Sequence, residues 1–576
     1  MREYCNPIDI SYKWQHCEGT AHREAADPTM VLFKDRYYLF ASMSAGFFYS
    51  DDLVDWKWHE NRDLDMYRYA PDVRQVGDYL YFCASTRNEP STIWRTKDPL
   101  SDEFEKVSEP FPFWDPDLFY DDDGRVYFYW GCGNVEPIWG IELDKETMLP
   151  IGEKVACFDQ DKDSRGWERF NFPGKVEDAD KGVMKLAMKF LNRKGRPYME
   201  GAFMNKWNGK YYLQYAAPGT QFHVYGDGCF VSDKPLGPFE FMPNTPFSLK
   251  PSGFITGAGH GSTIDDKDGN IIHTSTMRVS VNANFERRLG IFPAGLDEDG
   301  LLYCNQNFAD YPTVLPEGKY DARKLKPQYF LLSYKKPVRV SSYQEGHSPD
   351  LSVDEDIRTW WAAKTEKAWA VLDLGDVYRP HSIQINFAEN NVPEMTVDKS
   401  LRSSMFTSSR YIDSSPSLKT RFTLEGSLDG ENWFMIADRS ECDDDRSHPY
   451  IILNEEYEVR YFRITSIELP YHEVLALSGI RVFGKGHGEC PETVKNVSAK
   501  RHENGLDATV TFDKAEGAFG YNIRFGIAPD KLYTSYQVYE KTEVLLTTLN
   551  KGQKYYFTVD SYNENGVTEG TEVFEV

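Results

Sequence analysis

Three acidic residues stand at matching places in a repeating chain. They are Asp27 in Ala26-Asp27-Pro28, Asp115 in Trp114-Asp115-Pro116 and Glu200 in Met199-Glu200-Gly201. Carboxyls brought together can divide the labour of hydrolysis. One stays ionised and takes a proton from water, another is kept protonated and gives its proton to the leaving oxygen, and a third tunes the second. That division is what cleavage of a glycosidic bond requires. An Asp-Pro by itself often does no more than open a turn, so the weight rests on recurrence in step with a repeat.

The repeat is legible as alternating apolar runs joined by tight turns. Asp27-Pro28-Thr29-Met30-Val31-Leu32-Phe33, Tyr37-Tyr38-Leu39-Phe40-Ala41 and Gly46-Phe47-Phe48-Tyr49-Ser50 read as three strands, with Asp55-Trp56-Lys57-Trp58 as an outer fourth. Similar units start at Ala70-Pro71-Asp72, at Asp115, at Glu200 and at Gly259-His260-Gly261-Ser262, and turn at Gly77-Asp78, Asp123-Gly124, Asn208-Gly209 and Asp268-Gly269. Asn-Gly and Asp-Gly between apolar runs mark hairpins, because these residues readily take the positive φ of a tight turn. Five like-ordered four-stranded units predict an all-β, five-bladed propeller over residues 1–312. Radial blades bring the heads of the innermost strands to one mouth of the axis, where Asp27, Asp115, Glu200 and His260 would face one another.

Composition bounds the rest. A chain of 576 residues exceeds what one core supports, so further domains are expected. The formal charge of -25 repels a polyanion, which argues against nucleic acid. No apolar run approaches the roughly 20 residues of a membrane span, and no leader-like apolar core opens the chain. The expected location is therefore cytoplasmic if Met1 is native, and secreted or periplasmic if a signal has been removed. The nine cysteines are scattered without a paired motif, neither a zinc signature nor a disulfide framework.

In their order, the motifs Ala26-Asp27-Pro28, Ala70-Pro71-Asp72, Asp115-Pro116 before Asp121-Asp122-Asp123-Gly124, Glu200-Gly201 and Gly259-His260-Gly261-Ser262 resemble glycoside hydrolase family 43. The resemblance implies that Asp27 is the general base, Glu200 the general acid and Asp115 the modulator of its pKa. It also implies inversion, with the base and acid carboxyls roughly 6.5–9.5 Å apart to admit a water. His260 would lie beneath the site near the axis, facing a structural calcium ion or a water cluster, and no organic cofactor is implied. Asp72 and Asp117 read as hydrogen-bonding supports of the inner strands, and Asp121 to Asp123 as a solvated turn.

Phe47 and Trp114 are the candidate walls of a sugar pocket. Arg278, after the strand His273-Thr274-Ser275-Thr276-Met277, is a candidate to bind a sugar hydroxyl or to hold the Asp27 carboxylate. The period breaks between about Val155 and Pro197, and this insertion is expected at the pocket rim.

Residues 313–336 read as a linker. Over 337–486, runs such as Ala368-Trp369-Ala370-Val371-Leu372-Asp373-Leu374 alternate like sandwich strands. They resemble a discoidin or coagulation-factor type C module, a jelly-roll sandwich, with Asp354-Glu355-Asp356-Ile357-Arg358-Thr359-Trp360-Trp361 in its calcium-loop region. Gly479 stands where that module commonly has a metal-binding glutamate. Residues 489–576, with Gly520-Tyr521-Asn522-Ile523-Arg524-Phe525 and Lys554-Tyr555-Tyr556-Phe557-Thr558-Val559, resemble a fibronectin type III sandwich, a spacer or docking module.

The function these resemblances imply is an inverting exo-glycosidase acting on plant or microbial glycans. The leading expectation is α-L-arabinofuranosidase, with β-xylosidase, β-D-galactofuranosidase and a non-catalytic glycan-binding propeller as alternatives. The expected partner is an oligosaccharide or polysaccharide side chain, with no nucleic acid, membrane or obligate protein partner.

Overall fold

The structure is a computed structural model. It describes residues 2–17, 19–61, 64, 69–85, 90–169, 197–393, 402–405, 408–413, 415 and 417–576.

Five four-stranded antiparallel sheets follow one another in chain order, each with its strands in sequence order. Their innermost strands are Ala26–Phe33, Tyr69–Val76, Asp117–Tyr120, Glu200–Trp207 and Thr256–Asp265. Side chains alternate across each strand, so each sheet has two apolar faces, and every blade packs against both neighbours. Val31, Phe40 and Phe47 meet Val73 and Phe82 between blades one and two, and Cys83 meets Leu118 and Phe128 between two and three. Tyr129 meets Met204 and Leu213 between blades three and four, and Cys229 meets Met277 and Phe292 between four and five. Ile272 and Ile291 then meet Met30 and Leu39, which closes the ring from blade five to blade one.

Polar side chains stitch the inner strands in the same circle. Thr29 Oγ1 donates to Pro71 O at 2.7 Å, the Leu118 amide to Asp72 Oδ2 at 2.7 Å and the Met204 amide to Asp117 Oδ2 at 2.9 Å. Asn205 Nδ2 donates to Thr263 O at 2.9 Å, and the Met30 amide to Ser262 Oγ at 2.9 Å. Asp72 and Asp117 thus spend their carboxylates on the scaffold, where Arg74 also pairs with Asp117.

Residues 313–336 are no bare tether. Thr313–Leu315 pairs with Arg2–Tyr4, and Phe330–Leu331 joins a sheet of the next unit. Beyond them, two five-stranded sheets enclose one core that includes Leu372, Leu374, Ile383, Ile385, Phe462 and Val482. In the acidic loop there, Glu355 pairs with the buried Arg481 at 2.9 Å. In residues 489–576, sheets of three and five strands enclose a core around Val510, Ile523, Leu546 and Phe557.

The described part of the 155–197 insertion docks away from the axis. Its first residues belong to the outer strand Pro150–Phe158 of blade three. The stretch after them leans on the last unit: the Gly166 amide donates to Leu549 O at 2.9 Å, and Arg169 pairs with the buried Asp507 at 2.5 Å. The expected pocket rim is therefore not formed by residues 155–169. Residues 170–196, with Asn192 to Gly195, lie outside the described residues.

Candidate active site

The heads of the inner strands share one backbone device. Asp27, Ala70, Asp115, Gly201 and His260 all have positive φ, from 43° to 66°. In blades one, two, four and five the ladder to the second strand slips at or beside that point. A bulge of this kind re-aims a side chain and bends the strand end. Non-glycine residues pay strain for such a conformation, a strain that tends to be kept where a side chain must point at a site. Only glycine fits at Gly201, where an added Cβ would lie 2.8 Å from the His260 ring.

Serines on the second strands hold the bulged heads. Ser42 Oγ donates to Asp27 Oδ2 at 2.7 Å and accepts from the Ala70 amide at 2.8 Å, while Ser85 Oγ accepts from the Asp115 amide at 2.8 Å. The Asp27 amide in turn donates to Thr276 Oγ1 at 2.8 Å.

These bends converge on His260. Its Nδ1 lies 3.4 Å from Asp27 Oδ1, and donor atoms of Asp115, Glu200 and His260 all fall within 4.8 Å of one another. Asp27 and Asp115 are 5% and 3% exposed, and Glu200 is half-buried. Burial and then the charges of Glu200 and Asp27 push Asp115 up to about 7, against the pull of His260. Burial also raises Glu200, helped by the Asp27 charge and opposed by His260 and by Tyr225, whose hydroxyl donates to Glu200 Oε1 at 2.6 Å. Burial alone would lower His260, but the surrounding carboxylates outweigh it and raise its pKa.

Asp27 has a second cationic neighbour, Arg287. Its Nη1 donates to Asp27 Oδ1 at 3.1 Å, and the same guanidinium is paired with the buried Glu24. The sequence offered Arg278 either for this place or as a ligand of a sugar hydroxyl. Arg278 stands directly across the ladder from Arg287, but its Nη1 donates to Gln221 O at 3.1 Å, and burial lowers its pKa to about 10. Arg278 does not hold Asp27. Tyr225, Ser42 and Ser85 were also missed, because none sits in a motif whose local pattern distinguishes it.

Phe47 is no pocket wall. It lies on the third strand of its blade, is 0% exposed and stacks on Phe40 with ring centroids 4.7 Å apart. Packing between blades one and two consumes it. Trp114 stays half-buried beside Asp115, with its carbonyl accepting from the Gly131 amide at 3.0 Å.

Residues 20–302 match the family model for glycosyl hydrolases family 43. The propeller is a glycosyl hydrolase family 43 domain. Among relatives of this family 43 domain, a xylosidase/arabinosidase of Butyrivibrio fibrisolvens is 24% identical over 42% of this chain and 47% of its own length. A β-xylosidase of Xylanibacter ruminicola is 29% identical over 22% of this chain and 39% of its own length. A β-D-galactofuranosidase of Aspergillus niger is 24% identical over 43% of this chain and 73% of its own length. The chain thus spans less than half the length of the first two.

A calcium ion takes six to eight oxygen ligands. Among the described residues, the donors grouped around the axis are two carboxylates and one imidazole, whose nitrogen is not a calcium-type donor. Taken alone, these three side chains do not supply the oxygen set of a calcium site.

Proposed function

We propose that the protein is an inverting, exo-acting glycosidase, in the first instance an α-L-arabinofuranosidase. Asp27 accepts a proton from the attacking water, whose oxygen bonds to the anomeric carbon. Glu200 gives its proton to the glycosidic oxygen as the bond to the leaving alcohol breaks. Burial and the Asp27 charge keep Glu200 protonated, and Asp115, whose own carboxyl is raised by burial and by the Glu200 charge, is the modulator beside it. The observation carrying this reading is the convergence of Asp27, Asp115 and Glu200 on His260. Burial of Asp27 and Asp115 suits a terminal sugar entering a pocket better than a chain lying across an open cleft. Raised pKa values on Asp115 and Glu200 suit an acid that must hold its proton near neutrality.

β-Xylosidase and β-D-galactofuranosidase are the nearest alternatives, and both activities occur in the names of the relatives. The two C-terminal units fit discoidin-type and fibronectin type III modules, a reading supported by their paired sheets. The test is hydrolysis of nitrophenyl arabinofuranoside, xyloside and galactofuranoside, and of a natural oligosaccharide, by wild type and Glu200→Gln. Activity on one substrate, strongly reduced in the variant on the oligosaccharide, is expected. Activity on none, or undiminished activity in the variant, would overturn the reading.

A further inference from the structure

Two neighbouring strands carry charged pairs that face opposite ways. Arg23 and Glu24 end the strand Thr20–Glu24, and Arg287 and Arg288 begin the strand Arg287–Leu296 of blade five. The strands touch where Arg288 Nη1 donates to Arg23 O at 2.7 Å. Successive residues of a strand point to opposite faces. On one face Glu24 holds Arg287, and Arg287 reaches Asp27.

On the other face Arg23 and Arg288 grip one carboxylate from outside the propeller. Arg23 Nη1 donates to Glu389 Oε1 at 2.9 Å, and Arg288 Nη2 donates to Glu389 Oε1 and Oε2 at 3.0 and 3.2 Å. Glu389 belongs to the sandwich that follows the propeller. All three side chains are buried, and Asp445 of the same sandwich braces Arg23 at 2.8 Å. Burial would raise the Glu389 pKa, yet the two guanidiniums hold it at about 2, so it is an anion at any working pH. A second bond, from Asn282 Nδ2 to Glu389 O at 3.0 Å, ties in the turn before Arg287.

We propose that Glu389 is a positioning residue for Asp27: by clamping Arg23 and Arg288 it fixes the two strands whose alternate side chains, Glu24 and Arg287, orient the Asp27 carboxylate. The sandwich is then a working part of the active site and not a spacer. The inference rests on the hydrolase reading above for its kinetic consequence, but its structural core can be read without turnover.

The full chain is compared with Glu389→Gln, with Arg288→Lys, which keeps the charge but loses the fork, and with Glu3→Gln. Glu3 supplies another buried contact between propeller and sandwich, 2.9 Å from His381, on the strand Arg2–Tyr4, which pairs with Thr313–Leu315 and with neither base strand. For Glu389→Gln and Arg288→Lys, kcat is expected to fall about tenfold with KM nearly unchanged, the mark of lost alignment as opposed to lost binding. The Arg287 Nε–H resonance in arginine-labelled protein, assigned with Arg287→Lys, is expected to shift in both. Glu3→Gln should lower the melting temperature and leave kcat and that resonance in place. An unmoved Arg287 resonance, or an equal kcat loss in Glu3→Gln, overturns the proposal. If Glu389→Gln does not fold, Arg288→Lys carries the same readings. Should wild type cleave no glycoside, the hydrolase reading fails, and the resonance alone decides the coupling.

Discussion

Arg278 and Arg287 lie opposite each other on adjacent strands of blade five, and only Arg287 reaches Asp27. The two share one ladder rung, yet one guanidinium faces the proposed base while the other donates to the Gln221 carbonyl.

Removing Arg287 strands two buried carboxylates, Glu24 and Asp27, without their shared partner. Arg287→Ala is expected to lower kcat by about 100-fold, since charges aimed at a reacting group from a fixed frame carry several kcal/mol. Steady-state kinetics on the best substrate of the panel check this. A loss confined to KM would contradict the placement.

Tyr225 donates to Glu200 and so favours its ionised form. Tyr225→Phe removes that support, and the Glu200 pKa rises further. Activity that depends on protonated Glu200 then persists to higher pH, so the alkaline limb of kcat/KM moves upward. A pH profile on a substrate with a poor leaving group measures it, because such a substrate needs the acid.

Gly201 combines a φ of +66° with a ring in the way of any Cβ. Gly201→Ala is expected to cost about 1–3 kcal/mol from backbone strain alone and to displace His260 or Glu200 as well. Thermal denaturation and activity should fall together. A stable, fully active variant would show that the strand head is pliable.

Asp115 is pushed up to about 7 in the folded chain, above its unfolded value. The folded state therefore binds its proton more tightly, and the stabilisation this brings is complete below about pH 4 and is lost as pH rises through about 7. Asp115→Asn removes the titration. Relative to wild type, the variant is expected to gain stability steadily between pH 4 and 8 while losing activity. Denaturation midpoints across that range are the measurement, and parallel curves would contradict the burial argument.

The chain's local pattern determined the propeller and the order of its motifs. Alternation within strands such as Tyr37 to Ala41, and turns such as Asn208-Gly209, are encoded over a few residues, and their repetition specifies blades without knowledge of long-range contacts. That Asp27, Asp115, Glu200 and His260 stand at matching places in their blades was legible for the same reason, since each lies in the motif that recurs with the repeat.

Tertiary structure decided everything that depends on which neighbour a side chain meets. Phe47 looked like a sugar platform and is core, because the next blade closes over it. Residues 159–169 looked like a rim and are an anchor, because the last unit offers Asp507 to Arg169. Arg287 displaced Arg278, and Glu389 joined the base through two strands, because strand register and the seating of one domain on another are set by packing summed over distant segments. No short stretch of sequence records such sums.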